Sequence, residues 1–271
     1  MTVYKCIELP DKEFSTKEAM FEALKAEKDN IIALKKAAIK NSDSVRIDRA
    51  TTKARALNMK EGYVYPVINT TLYMDSHNDV HADGVWNVSV REQKGNVFYV
   101  ADHKLETTSV IAFPKDVGVM VRTMAWKDLG YDVAGNTEAL MFEVPRDKIK
   151  LQIAREIINE GIKIEHSVRM QYVQLGLAIN SDDEDFKAEK KIWDKNINKI
   201  VNKERAEEVG YFWWVSEAKI SKEGSMVVMG SNDITPMLMS KNIDPAAASQ
   251  KNHPEQTSDD ELRKKLLLIN Y

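Results

Sequence analysis

Residues 165–170 (Glu-His-Ser-Val-Arg-Met) place a serine hydroxyl, that of Ser167, directly after a histidine. Residues 148–160 carry isoleucines at helical spacing, and Gly161 stands where a left-handed cap would end that helix. Residues 172–179 have the aromatic and β-branched content of a strand. We therefore expect Ser167 where a helix has ended and a strand begins, near the mouth of a sheet. The chemistry open to it there is nucleophilic attack on a carbonyl.

A serine hydroxyl is a weak nucleophile until a base accepts its proton and a third group orients that base. Two other segments contain suitable residues. Residues 96–100 are predicted to form a strand that ends before His103, and residues 220–232 form a bent strand or strand pair with the carboxylate of Glu223. Glu217, on the preceding aromatic-rich strand, is a rival for the third role. Triad members meet only in the fold, so spacing alone leaves ordinary surface or strand roles open for each residue.

Three segments, taken in order, resemble a known family. They are Tyr-Val-Ala-Asp-His-Lys at residues 99–104, His-Ser-Val-x-Met-x-Tyr-Val from His166, and Glu-Gly-Ser-x-Val-x-x-Gly-Ser-Asn-x-x-Thr from Glu223. This ordered set is similar to the prohead (capsid-maturation) serine proteases of tailed bacteriophages, which share a fold with the herpesvirus assemblins. The resemblance covers roughly residues 63–236, and its specificity lies in the order of three short motifs.

The resemblance implies a role for each of three residues: His103 as general base, Ser167 as nucleophile and Glu223 as third member of the triad. Glu223 is preferred to Glu217 because it stands in the family's Glu-x-Ser segment. Many relatives have glycine two positions after the serine, where this chain has Arg169.

The family's activity further implies the partners and the setting. The substrates would be the phage scaffold protein, the major capsid protein and, by autoproteolysis, the chain itself. Cleavage would take place inside the assembling procapsid in the host cytoplasm, by a monomer or a homo-oligomer, with no cofactor and no metal.

Two other functions remain open from the sequence. The chain is alternatively a catalytically inactive relative that acts as an internal scaffold or shell-binding protein. A third reading is a metal-dependent hydrolase, because residues 75–83 contain His77 and His81 among three aspartates, which are metal-ligand types. The asparagine, aspartates and glycine of this loop favour turns, however, whereas a His-x-x-x-His zinc pair needs a helix to place both rings on one face.

Composition excludes several classes of protein. The 271 residues include 43% hydrophobic residues, enough for a real core, and the formal net charge of −3 gives no general attraction to nucleic acid or anionic membrane. No apolar run approaches the roughly 18–20 residues that span a bilayer, and residues 1–5 lack a signal-peptide pattern. The single cysteine, Cys6, excludes an internal disulfide. We expect a soluble cytoplasmic protein without a membrane partner or a specific nucleic acid partner.

The change in hydrophobic period divides the chain into three parts. Residues 1–60 are predicted to be a helical extension and a basic linker, and the helix either docks a partner or packs on its own domain. Residues 61–242 form the protease domain, and residues 243–271 a flexible tail.

Within the central part at least six short strands alternate with few helices. We expect strands near residues 63–72, 85–90, 97–100, 110–113, 117–124 and 139–144, a hairpin turn at 94–96, and a helix that starts at 145–147. This pattern predicts an α+β fold, with a mostly antiparallel β-barrel core and flanking helices as in the assemblins.

Overall fold

The computed structural model describes residues 3–41, 59–228 and 235–239. Those residues contain six α-helices and ten strands. The helices are α1 (Lys17–Ala26), α2 (Lys28–Ala37), α3 (Asn87–Glu92), α4 (Gln152–Glu160), α5 (Lys187–Asn196) and α6 (Lys203–Val209). The strands are β1 (Lys40–Asn41), β2 (Tyr63–Thr70), β3 (Asp79–His81), β4 (Phe98–Ala101), β5 (Val110–Ala112), β6 (Gly118–Ala125), β7 (Asn136–Pro145), β8 (Glu165–Ile179), β9 (Tyr211–Val227) and β10 (Met237–Met239). None of the helices in these ranges has the length and apolar character needed to cross a membrane.

The strands form two sheets. A six-stranded sheet has the order β1-β8-β9-β4-β5, with β3 also paired to β9, and a four-stranded sheet has the order β10-β2-β7-β6. Most pairs are antiparallel, while β3 and β4 run parallel to β9. The chain is thus an α+β protein with antiparallel-rich sheets, as expected, and over the described ranges neither sheet closes on itself.

A break in register on β9 prepares the site. On β8, Val168 pairs with Gly224 and Met170 with Ile220, so residues 221–223 of β9 lie opposite the single residue Arg169. Lys222, inside this bulge, has a φ of 66°. The bulge separates the part of β9 that pairs with β3 from the part that pairs with β4. It therefore delivers the end of β9 to the edge of β4, the strand that leads to His103.

The two sheets pack closely beneath this part of β9. Gly224 lies directly against the ring of Phe142 on β7, where a Cβ atom would come 2.6 Å from the ring Cζ. Val168, Met170 and Tyr172 of β8 belong to the same buried cluster as Phe142. One face of β8 is therefore the core face, and the alternate residues of β8 point to the opposite face.

The N-terminal arm, residues 3–41, packs on its own domain. Side chains of the arm, of the far end of the β8–β9 pair and of the 3-10 turn before α5 share one buried cluster: Cys6, Met20, Phe21, Leu24, Ile31, Leu177, Ile179, Phe186, Tyr211 and Trp213. At the end of the arm, β1 pairs with β8 at Met170 and Arg169. Of the two expectations for this extension, packing on its own domain is the one observed. The linker over 42–58 and the tail over 243–271 lie outside the described residues.

Three local predictions are wrong. Residues 85–90 do not form a strand, because Val85, Trp86 and Ser89 are buried at helical spacing and Asn87–Glu92 is α3. The turn at Gly95 consequently joins a helix to β4 and makes no hairpin. The helix expected from 145–147 begins only at Gln152, after a single 3-10 turn, although Gly161 ends it in the left-handed conformation as predicted.

Candidate active site

His103 follows β4 in a turn of unusual backbone conformation. Asp102 and His103 have φ values of 50° and 56°, in the left-handed region that non-glycine residues seldom adopt. The N–H of Asp102 donates to the carbonyl oxygen of Met226 at 3.0 Å, and the N–H of Lys104 donates to the carbonyl oxygen of Ala101 at 3.1 Å. Such strain persists only where the surroundings hold it, and it is found often at functional sites.

The imidazole of His103 meets the carboxylate of Glu223. Nδ1 of His103 lies 2.7 Å from Oε1 of Glu223; the histidine side chain is 14% exposed and the glutamate side chain is fully buried. A carboxylate only accepts hydrogen bonds, so Nδ1 carries a hydrogen, and in the neutral imidazole Nε2 then has the lone pair. This tautomer is the one a general base uses when its second nitrogen takes a proton from a nucleophile.

Glu223 reaches this position because of the bulge. It is the last of the three β9 residues opposite Arg169, and it pairs in register with Phe98 of β4. Over the described ranges its second oxygen, Oε2, has no hydrogen-bond partner. A buried carboxylate oxygen without a hydrogen-bond partner over these ranges costs stability.

Ser167 lies within β8, as its third residue, and it is the register partner of Ser225 on β9. The hydroxyl of Ser225 accepts a hydrogen bond from the N–H of His103 at 2.8 Å. The structure therefore brings the strand of Ser167, the backbone of His103 and the carboxylate of Glu223 to one place.

The face on which Ser167 lies follows from strand alternation. Val168 and Met170 point into the core, so Ser167 and Arg169 point to the other face of the sheet. Ser167 is only 2% exposed. The prediction that it stands at a helix–strand junction needs correction, because the strand already begins at Glu165 and the serine lies inside it.

His166 is adjacent to Ser167 but belongs to the core face. Its Nδ1 lies 2.8 Å from the carbonyl oxygen of Thr235 and its Nε2 lies 2.9 Å from the hydroxyl of Tyr99. A carbonyl oxygen accepts only, so Nδ1 donates to it and Nε2 accepts from the tyrosine. Burial lowers the pKa of His166 to about 4. This imidazole is neutral, engaged at both nitrogens and on the wrong face to serve Ser167.

In the candidate metal loop, residues 75–83, the carboxylate of Asp79 pairs with two lysines from the N-terminal arm. Asp79 accepts from Lys35 at 2.5 Å through Oδ1, and its Oδ2 accepts from the Tyr172 hydroxyl at 2.9 Å and from Lys40 at 3.2 Å. Nδ1 of His81 is 3.1 Å from the amide oxygen of Asn69. Among residues 3–41, 59–228 and 235–239 no group of three or more histidine, cysteine or acidic side chains is arranged to hold a metal ion.

Two residues weighed from the sequence lie outside the His103–Glu223 contact. Glu217, the rival acid, pairs with Gln174 far along β9 and is partly exposed. Arg169 is partly exposed and shares the face of Ser167. The residue that sequence reasoning missed is Ser225, although it stands within the Glu-Gly-Ser motif that was used to choose Glu223.

Comparison of the chain with protein-family models, with curated proteins and with solved structures found no match. The roles expected for His103, Ser167 and Glu223 therefore rest on the sequence motifs and on the geometry described above.

Proposed function

We propose that this chain is a serine endopeptidase of the prohead protease type. The observation that carries the proposal is the 2.7 Å contact between Nδ1 of His103 and Oε1 of the buried Glu223, beside the strand of Ser167. The motifs that contain these three residues are present in the sequence independently of this geometry. A barrel core of the assemblin type is part of the same proposal.

In the proposed reaction the Oγ of Ser167 attacks the carbonyl carbon of a peptide bond while Nε2 of His103 takes the hydroxyl proton. Glu223 holds the imidazole in the required tautomer and stabilises its cation. The tetrahedral intermediate collapses when His103 returns that proton to the leaving amine, which leaves an ester on Ser167. Water, deprotonated by His103, then attacks the ester; the bond to Oγ of Ser167 breaks, His103 returns the proton to that oxygen and the acid product is released. Backbone N–H groups near Ser167 or from a neighbouring loop would stabilise the oxyanion.

The proposed substrates are a phage scaffold protein, the major capsid protein and the chain itself, cut inside the assembling procapsid in the host cytoplasm. Because Ser167 is 2% exposed, cleavage requires the groups that cover it to move. A dependence on assembly would follow naturally from that requirement.

The same low exposure of Ser167 favours a second candidate, an inactive relative that acts as an internal scaffold or shell-binding protein. The two functions differ in what they predict for Ser167→Ala. A protease loses all cleavage in this variant, whereas an inactive relative shows the same masses with either residue.

The test is intact-mass analysis of the wild-type chain, Ser167→Ala and the control Ser216→Ala, each expressed alone and with a cognate scaffold or capsid protein. Ser216 is partly exposed on β9 and its hydroxyl donates only to the carbonyl oxygen of Gln174, at 3.4 Å. Trimming of chain or partner in the wild type and in Ser216→Ala, but not in Ser167→Ala, supports the protease. Uncut masses in all folded samples support the inactive relative, and loss of cleavage with a chelator would support a metal-dependent hydrolase.

A further inference from the structure

The turn that carries His103 depends on one side chain. Asp102 and His103 both adopt the left-handed conformation, which neighbouring groups must hold in place. The N–H groups of Asp102 and Lys104 donate to backbone carbonyl oxygens, whereas the N–H of His103 donates to the hydroxyl of Ser225 at 2.8 Å. The backbone of the base is thus fixed by a side chain of another strand.

The orientation of that hydroxyl is itself fixed. Ser225 is fully buried, and its Oγ lies 3.3 Å from the carbonyl oxygen of Val100 and 3.2 Å from that of Met226. Carbonyl oxygens accept only, so the hydroxyl hydrogen points toward them and a lone pair is left for the N–H of His103.

Ser225 also connects the groups of the site in sequence and in register. It lies two residues after Glu223, on the same face of β9, and it is the register partner of Ser167. A shift of its hydroxyl would therefore move His103 relative to Ser167 on β8 and Glu223 on β9.

We propose that Ser225 is a positioning residue. Its hydroxyl fixes the backbone of His103 so that Nδ1 meets Glu223 and Nε2 is available to Ser167. This inference rests on the proposed serine protease function for its catalytic consequence, but the placement of His103 is a structural property that is measured without activity.

The matched control is Ser89. This serine is also buried, at 2% exposure, and its hydroxyl also accepts a backbone N–H at 2.8 Å, that of Ile220. Ser225→Ala and Ser89→Ala therefore remove the same group with the same bond, and only the first is next to His103.

The first measurement is proton NMR of the full chain with ¹⁵N-labelled histidine. The His103 Nδ1–H bonded to Glu223 should give a downfield resonance in the wild type, in Ser167→Ala and in Ser89→Ala. We expect its loss in Ser225→Ala. A signal that persists unchanged in folded Ser225→Ala overturns the inference, whatever the catalytic result.

The second measurement is the rate at which a fluorophosphonate ester labels Ser167, followed by intact mass. In this step the serine oxygen bonds to phosphorus, fluoride leaves and His103 takes the hydroxyl proton. We expect labelling to slow roughly 10²-fold in Ser225→Ala, as for a base displaced by about an ångström, and to stay within about twofold in Ser89→Ala. Equal rates in both variants overturn the inference. A wild type that is not labelled at Ser167, either alone or together with a cognate scaffold or capsid protein, overturns the proposed function and leaves the NMR test standing.

If Ser225→Ala does not fold, the variant Asp102→Gly/Ser225→Ala replaces it, with Asp102→Gly as its reference. Glycine adopts the left-handed conformation without strain, so the turn can form without the serine hydroxyl. The proposal expects the His103 resonance in Asp102→Gly and its loss in the double variant. Its presence in both would overturn the proposal.

Discussion

Nε2 of His166 lies 2.9 Å from the hydroxyl of Tyr99 on the core face of β8, while Ser167, the next residue, lies on the opposite face. The side chains of these two neighbours therefore point to opposite faces of the sheet. His166 is a buried, neutral, doubly hydrogen-bonded histidine. We expect His166 to affect the free energy of unfolding, and this effect can be measured as a function of pH.

The free energy of unfolding should fall as the pH falls from 6.5 to 4. Burial lowers the pKa of His166 from 6.5 to about 4, so between these values the unfolded chain binds a proton that the folded chain does not. The loss reaches about 3 kcal/mol when the pH passes below the folded pKa. Urea unfolding of the wild type and of His166→Gln at pH 7, 5.5 and 4.5 measures it.

His166→Gln should be less stable than the wild type at pH 7 but should lose less stability on acidification. His81, whose pKa burial also lowers to about 4, remains in both proteins and contributes the same slope to each. Parallel pH curves for the two proteins would contradict the assignment to His166.

The order of the three motifs in the sequence was enough to select His103 and Glu223, which the structure places in contact. The sequence did not reveal the bulge at Lys222, because a lysine in the left-handed conformation gives no sequence signal comparable to a glycine. The position of Ser167 inside the strand was also missed, since the pattern at 172–179 marks the second half of β8 but not its first residues.

The fold prediction failed where a short sequence pattern does not contain the contacts that decide the structure. Residues 85–90 alternate in polarity, but the stretch is too short to distinguish a strand from a helical turn. In the structure Trp86 and Ser89, three residues apart, are both buried, as the helix requires. The charges at Lys35 and Asp79 gave no sign that they are partners, because 44 residues separate them and only the fold brings them together.

Glu223→Gln should lower the rate of Ser167 labelling or peptide cleavage by roughly 10³–10⁴-fold, the effect of losing the charge and the tautomer preference of such a carboxylate. The variant should nevertheless be as stable as the wild type or more stable, because it removes a buried charge whose Oε2 has no partner in the described residues. Labelling or cleavage kinetics test the predicted loss of rate, and thermal unfolding of the same preparation tests the predicted stability.

Glu217→Gln is the matched control for this prediction. Glu217 lies on the same strand, is partly exposed and does not contact His103. It should retain wild-type rates and stability. A rate loss in Glu217→Gln equal to that in Glu223→Gln would show that Glu217, and not Glu223, completes the triad.

Lys35→Met should destabilise the chain by as much as about 3–5 kcal/mol, because it removes a buried cation from the buried carboxylates of Asp79 and Glu8 and leaves Asp79 with Lys40 as its remaining cationic partner. Nζ of Lys35 is 2.5 Å from Oδ1 of Asp79 and 3.4 Å from Oε1 of Glu8. Burial lowers the pKa of Lys35, but these two carboxylates outweigh burial and raise it overall. Urea unfolding measures the loss, and limited proteolysis of residues 3–41 shows whether the arm is released first.

Lys36→Ala is the control for the arm, since Lys36 is the next residue of α2, is partly exposed and has no side-chain ion pair within the described ranges. Its effect should stay within about 0.5 kcal/mol. Equal stabilities for Lys35→Met and Lys36→Ala would mean that the buried ion pairs do not hold the arm.

Gly224→Ala should destabilise the chain by about 1–3 kcal/mol through overpacking, because the added methyl group would lie 2.6 Å from the Phe142 ring and 2.9 Å from Cγ2 of Ile68. Gly176→Ala is the comparison within the same sheet: among the described residues its methyl group meets only the terminal Cδ1 of Ile192, at 3.2 Å, and should cost less. Replacing Phe142 by Leu first should reduce the cost of Gly224→Ala, with a coupling of roughly 0.5–3 kcal/mol in a double-mutant cycle. Purely additive effects would mean that the sheets do not meet at Gly224.

Since Gly224 stands between Glu223 and Ser225, overpacking there should also slow Ser167 labelling in protein that remains folded. Such a loss of rate would show that the spacing of the two sheets affects the geometry of the site.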